Sequence, residues 1–239
     1  MKLKPPIKFM KRLMNVKSIS SPIINLASFR LKVDQDNCAT IEDHAKLAFS
    51  WHFLKLLAVK PSQIREEIIQ LMTLVAELRP KVVLEIGTAM GGTLYLFSKV
   101  ATPNATIISV DLPRGCPDWK IPLYKAFARG NQKIHLIRGN SHDQLTLSKV
   151  KEVIDGHMVE ILFIDGDHSY KGVKKDFEMY APLVRSGGIM AYHDIVSGPL
   201  ESVGGVPKFW NEIKHNYISY MEIVKSWEQE GCGIGVIFL

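Results

Sequence analysis

Apolar and polar residues follow one rhythm up to residue 80 and another beyond it. From about residue 40 to residue 78 the spacing is helical. In "PSQIREEIIQLMTLVAELRP" (61–80), Ile64, Ile68, Leu71, Leu74, Val75 and Leu78 share one face, with Pro61 and Ser62 as a start and Pro80 as a stop. After Pro80 short apolar runs alternate with amphipathic ones. "KVVLEIG", "ATIISVDL", "KIHLIRGN", "VEILFIDGD" and "GGIMAYHD" predict strands. "GGTLYLFSKVA", "PLYKAFARG", "HDQLTLSKVKEVI" and "GVKKDFEMYAPLV" predict the helices between them. "GVPKFWNEIKHN" predicts a last helix, followed by strand-like "SYMEIVKS" and "GIGVIFL".

Strand–helix alternation with β-branched strands predicts an α/β fold with a mainly parallel sheet covered on both faces. Right-handed crossovers then line up the carboxyl ends of the strands, and ligands of such sheets bind beyond those ends. Residues 1–60 precede this pattern as a basic arm and helical extension, leaving 61–239 as the α/β domain.

The net charge of +6 belongs to that arm. Residues 1–33 carry Lys2, Lys4, Lys8, Lys11, Arg12, Lys17, Arg30 and Lys32 with no acid, leaving 22 bases against 24 acids elsewhere. An arm of this kind touches anionic partners, or is a solvated terminus, or straps a second subunit into a homo-oligomer. It carries no signal-peptide pattern, and no apolar run approaches the roughly 18–20 residues of a bilayer span, so a cytoplasmic protein is expected. Three cysteines, Cys38, Cys116 and Cys232, without paired metal-ligand spacing, suggest free thiols in a reducing compartment.

The chemistry gathers at the predicted strand ends. "LEIGTAMGGT" offers Gly87, Gly91 and Gly92 for a tight turn, but fits a dinucleotide fingerprint poorly. Glu85, two residues before Gly87, repels a pyrophosphate and attracts a cation, which suits the sulfonium and amino group of S-adenosylmethionine. Asp111, 24 residues beyond Gly87, ends the next strand, where an acid accepts ribose hydroxyls. Asn140, Ser141 and His142 follow the third strand within reach of an adenine edge, although Ser141 or Asp143 equally suits a helix cap. Asp165 ends the fourth strand, and His193 and Asp194 end the fifth. Two converging carboxylates call for a cation, Mg²⁺ first and Mn²⁺ second, with His193 as a third ligand or a buried hydrogen-bonded histidine. His168, three residues past Asp165, has the ordinary pKa of a base for a substrate hydroxyl. Asp167 reads as a turn carboxylate beside Gly166.

"LEIGTAMGGT", "VDL", "FIDGDHSYKGVKKDFEMYAPLVRSGGIMAYHDI" and "GVPKFWNEI" together resemble class I S-adenosylmethionine-dependent methyltransferases. More narrowly, they resemble the branch that includes cephalosporin-hydroxylase-type and macrolide-sugar O-methyltransferases. The resemblance covers roughly residues 63–239. It implies a Rossmann-like, mostly parallel seven-stranded sheet with "GIGVIFL" inserted antiparallel. It also implies a cofactor surrounded by Glu85, Gly87, Thr88, Ala89, Gly91 and Asp111, with Asn140 and Ser141 near the adenine. Metal ligands fall on Asp165, His193 and Asp194, and a base on His168, with Asp165 beside it in the catalytic set. His193 is the departure, since those relatives carry an acid there, and it leaves the metal's identity open.

The expected activity is metal-assisted O-methylation of a hydroxyl on a small or sugar-like molecule. Two rivals remain: a nucleic-acid methyltransferase guided by the basic arm, and a non-catalytic binding protein on the same fold. The body lacks an N-P-P-Y-like motif and a second basic cluster, so nucleic acid is the less favoured partner.

Overall fold

A computed structural model describes residues 21–239. Two helices, α1 (Ser21–Asp36) and α2 (Ile41–Ser50), lead into a small hairpin of β1 (His52–Phe53) and β2 (Leu57–Ala58). The hairpin breaks the helical stretch read over 40–78. Leu54 and Lys55 take the left-handed conformation at its tip, and Pro61 disfavours helix at Lys60. Helix α3 (Arg65–Leu78) follows, burying Ile68, Leu71, Met72 and Val75. Its cap position is Ile64, without a side-chain cap, so Ser62 does not start it; left-handed Arg79 ends it before Pro80. Most of the basic arm expected over 1–33 lies outside the described residues. Within α1, Arg30 pairs with Asp34 one turn on.

The alternating units then run β3 (Val82–Ile86), α4 (Gly92–Val100), β4 (Thr106–Asp111), α5 (Ile121–Lys125), β5 (Lys133–Arg138), α6 (Gln144–Ile154), β6 (Val159–Ile164), α7 (Tyr170–Tyr180) and β7 (Val184–His193). Helices α8 (Leu200–Val203) and α9 (Val206–Ile213) precede β8 (Ser219–Ile223) and β9 (Ile234–Phe238). The seven-stranded sheet has the order β5-β4-β3-β6-β7-β9-β8, and β9 inserts antiparallel between β7 and β8, as expected. Alternate side chains serve two cores. Val83, Ile107, Phe163 and Ala191 face one, while Leu84, Ile108, Leu162 and Met190 face the other. Among the described residues no helix is long and apolar enough to cross a membrane.

Helices α1 and α2 are packed into the first core through Ile24, Ala27, Leu31, Ala45 and Ala48, beside Tyr95, Phe97 and Phe127. A buried lysine ties this layer together: Lys99 Nζ donates to Gln35 Oε1 at 2.9 Å and to the Phe127 carbonyl. Burial pushes its ammonium down from 10.5 to about 7. Between about pH 7 and 10.5 the unfolded chain therefore holds a proton that the folded chain lacks. Folding stability is expected to rise with pH through this window, and Lys99→Met to remove that part of the rise. Urea unfolding of both proteins at about pH 7 and pH 9 tests it.

Candidate active site

The strand order reverses between β3 and β6, which opens a crevice above their carboxyl ends. Register makes those ends level: Ile86 pairs with Val110 and Ile164, and Ile164 with Tyr192. Gly87, Asp111, Asp165 and His193 are the next residues on four adjacent strands, so they share one rim.

On the β3–β4 side the glycine loop turns directly against β6. Gly87 has φ +103°, and a Cβ there would lie 2.1 Å from the Asp165 carbonyl oxygen, so no larger residue fits. The Asp111 carboxylate accepts the Thr88 and Ala89 N–H groups, both at 2.9 Å. Its Oδ2 is thus spent on holding the loop, and burial raises its pKa despite those bonds. Tyr124 OH donates to the Ala89 carbonyl, and Gly91 packs on the Tyr124 ring. Arg138 binds the Cys116 carbonyl and pairs with Asp118, so the loop 113–119, which carries Pro113, Gly115 and Pro117, is pinned beside Asp111.

Glu85 lies under this loop, fully buried. Ser109 Oγ donates to its Oε2 at 2.6 Å and lies 2.6 Å from Thr88 Oγ1. Among the described residues Glu85 Oε1 has no partner. Burial pushes its carboxyl well above the usual range, with Ser109 opposing and Asp165 and Asp111 adding to the rise. Ser109→Ala is expected to destabilise the fold by about 1–3 kcal/mol, by leaving the buried carboxyl without its donor. Chemical denaturation measures this loss.

Asn140 and Ser141 lie past β5, two strands from β3, and do not meet the acidic cluster. Asn140 Oδ1 accepts the His142 N–H at 3.0 Å, and the Ser141 carbonyl accepts Tyr180 OH at 2.8 Å. Asp143 holds the cap position of α6 without a side-chain cap bond. Asp167 accepts the Ser169 N–H at 2.9 Å, and Ser169 caps α7, so Asp167 has the expected turn role.

On the β6–β7 side the residues singled out in sequence do converge. Asp165 Oδ1 lies 3.1 Å from His193 Nδ1 and 3.3 Å from His168 Nε2. His168 Nδ1 lies 3.3 Å from Asp194 Oδ2 and 2.5 Å from the Ser202 carbonyl oxygen. That carbonyl only accepts, so Nδ1 carries the proton and Nε2 is the exchangeable position. Hydrogen bonding to Asp165 outweighs burial and raises the His168 pKa to about 9. Burial works against ionisation of Asp165, but His193 and His168 overcome it and hold its carboxyl well below the usual range. Burial raises Asp194, with the two histidines opposing.

A divalent cation fits this donor set. Asp165, His168 and Asp194 each offer a ligand atom within 4.8 Å of the others, and His193 Nδ1 stands 3.1 Å from Asp165 Oδ1 and 3.5 Å from Asp194 Oδ1. Asp194 also sits at φ +64°, a strained position for a residue other than glycine.

Sequence reasoning missed the groups that hold the cluster. Gln63, read as part of a helix start, donates Nε2 to Asp165 Oδ2 at 2.7 Å while its Oε1 accepts from Thr93. Glu67, read as a helix position, is buried. It accepts from Lys225 N, Gln229 Nε2 and Gly233 N, fixing the loop between β8 and β9. The signal available was a carboxylate on a face otherwise apolar: Glu67 adjoins Ile68 and precedes Leu71 by four.

A family model described as a methyltransferase domain matches residues 84–195. An uncharacterised protein of Sinorhizobium fredii is 26% identical over 153 residues, 59% of this chain and 16% of that protein. An uncharacterised protein of Acanthamoeba polyphaga mimivirus is 31% identical over 113 residues, 46% of this chain and 49% of that protein. The chain thus spans less than half the length of either curated relative. Among solved structures, an O-methyltransferase from Bacillus cereus in complex with SAH aligns at TM-score 0.55 and 14% identity, covering 99% of this chain and 93% of that one. The O-methyltransferase TomG from Streptomyces achromogenes, in complex with SAM, aligns at TM-score 0.55 and 16% identity, covering 87% and 95%. At such identities the likeness speaks for the fold.

Proposed function

We propose that this chain is a class I S-adenosylmethionine-dependent O-methyltransferase for a hydroxyl on a small or sugar-like molecule, a reading supported by the methyltransferase-domain match over residues 84–195 and by the fold. The observation that carries this reading is the meeting of Asp165, His168, His193 and Asp194 on the rim of the crevice beside the glycine loop. The S-adenosylmethionine site comprises Glu85, Gly87, Thr88, Ala89, Gly91 and Asp111, with Asn140 and Ser141 toward the adenine. Burial raises the Glu85 carboxyl well above its usual range, and the ligand's amino group or sulfonium would favour its charged form.

Asp165, His193 and Asp194 would hold a divalent cation in this reading, which leaves His168 free to act as the base. The cation would offset the paired carboxylates and lower the pKa of an acceptor hydroxyl. His168 Nε2 takes the hydroxyl proton while the oxygen bonds to the methyl carbon and the carbon–sulfur bond breaks. The products are the methyl ether and S-adenosylhomocysteine. The sulfonium is already activated, so the chain's main contribution is to align the oxygen with the methyl group. Gln63 keeps Asp165 aimed at the rim, and the Ser202 carbonyl keeps His168 in the Nε2-reactive tautomer.

Calorimetry with S-adenosylmethionine, with and without Mg²⁺ or Mn²⁺, tests the reading. Absence of cofactor binding sinks it. Acceptor methylation that survives exhaustive chelation removes the metal half alone.

A further inference from the structure

Cys232 lies on the loop between β8 and β9, in contact with the far side of the acidic cluster. His193, Asp194 and Cys232 each offer a ligand atom within 4.8 Å of the others. Carboxylate and imidazole ligands about a tetrahedral Zn²⁺ stand about 3.3–3.6 Å apart, as do thiolate and imidazole, so each pair needs to converge by at most about 1.5 Å.

Further observations favour a ligand there. His193 Nδ1 lies 3.1 Å from Asp165 Oδ1 and 3.5 Å from Asp194 Oδ1, the Cys232 side chain bonds the same imidazole, and Nε2 is buried with no other hydrogen-bond partner among the described residues. His193 itself is 4% exposed. Cys232 keeps a side chain at φ +61° between Gly231 at +90° and Gly233 at +78°, where a third glycine would cost the backbone nothing. Asp194, its partner, is likewise left-handed, and Cys232 N–H donates to Asp194 Oδ1 at 2.9 Å. The loop is also held firmly, since Glu67 accepts Gly233 N at 3.0 Å. Strained ligand positions on a fixed loop are what a preformed site requires.

We propose that Cys232 is a metal ligand, completing a His193–Asp194–Cys232 position that takes a borderline transition ion such as Zn²⁺ or Co²⁺ in preference to Mg²⁺. The proposal rests on the reading of His193 and Asp194 as ligands and adds the thiolate that decides the ion class. Thiolate and imidazole select Zn²⁺-class ions, whereas Mg²⁺ keeps to oxygen.

Metal-stripped full-length protein, titrated with Co²⁺, tests it by absorbance, with equilibrium dialysis counting bound ion. A thiolate-to-cobalt charge-transfer band in the near ultraviolet is expected, present in Cys38→Ser and absent from Cys232→Ser. Zn²⁺ affinity is expected to fall at least about 100-fold in Cys232→Ser, more than an outer-shell change costs. Cys232→Gly removes the thiol while relieving the left-handed strain, and its far-ultraviolet circular dichroism, expected to match wild type, separates loss of the thiol from misfolding. Bound Co²⁺ without the band, or a band that survives in Cys232→Gly, overturns the thiolate ligand and leaves the carboxylate–histidine reading standing. Failure to retain Co²⁺, Zn²⁺ or Mg²⁺ at all overturns both.

Discussion

His168→Ala is expected to lower methyl transfer about 10²–10⁴-fold while S-adenosylmethionine binds as before. The loss follows from the geometry of one atom. Ser202 fixes the proton on Nδ1, so only Nε2 can accept another, and Nε2 faces Asp165 at 3.3 Å on the crevice rim. With its pKa raised to about 9, the imidazole of the metal-free protein is protonated at neutral pH and cannot act as a base. A cation on Asp165 would neutralise the carboxylate that raises that pKa, and so bring the imidazole back toward its ordinary range. The turnover of the metal-loaded protein should therefore rise with pH along a one-proton limb whose midpoint lies below about 9, and His168→Ala should lose that limb. The cofactor groups, Glu85, the glycine loop and Asp111, do not touch His168, which is why binding is expected to persist. Unchanged turnover in the variant would remove His168 from the mechanism.

The strand ends were readable because they break a strong pattern. "VEILFI" is largely apolar, so Asp165 and His168 just beyond it stand out, and parallel pairing brings β6 next to β7 and its His193-Asp194 end. The glycine loop was readable for a related reason, since Gly87 must pass the Asp165 carbonyl and tolerates no Cβ. What could not be read was every contact across long separations in sequence. Gln63 reaches Asp165 from 102 positions away, and nothing in "PSQIREE" marks it as more than a helix start. Cys232 had no nearby ligand to pair with, because its neighbours in space are 38 and 39 positions earlier. The 52–58 hairpin was lost inside an apolar stretch whose helical spacing runs on both sides of it. The charge state of His168 was also hidden, since its ordinary pKa says nothing of the two carboxylates that flank it.

Asp165→Ala is expected to be the most damaging single change to stability in the metal-free protein, at about 3–5 kcal/mol near pH 6. Its carboxylate is the shared partner of His193, His168 and Gln63. Removing it strands two imidazolium groups and an amide in a largely buried site. The cost depends on pH in a definite direction. Asp165 titrates below its ordinary 3.8, so its contribution is complete above that value and lost as pH falls through the lower one. His168 titrates at about 9 against an ordinary 6.5, so its share is complete below 6.5 and lost as pH rises through 9. The difference between wild type and variant is therefore greatest between about pH 4 and 6.5 and shrinks as pH rises from 6.5 to about 9. Urea unfolding in chelator at about pH 6 and pH 9.5 separates the two contributions. Asp165→Asn keeps an acceptor for Gln63 without the charge, and its cost should be smaller than that of Ala. If both variants cost the same at both pH values, packing rather than charge is what Asp165 supplies, and the ion cluster is not what holds this rim together.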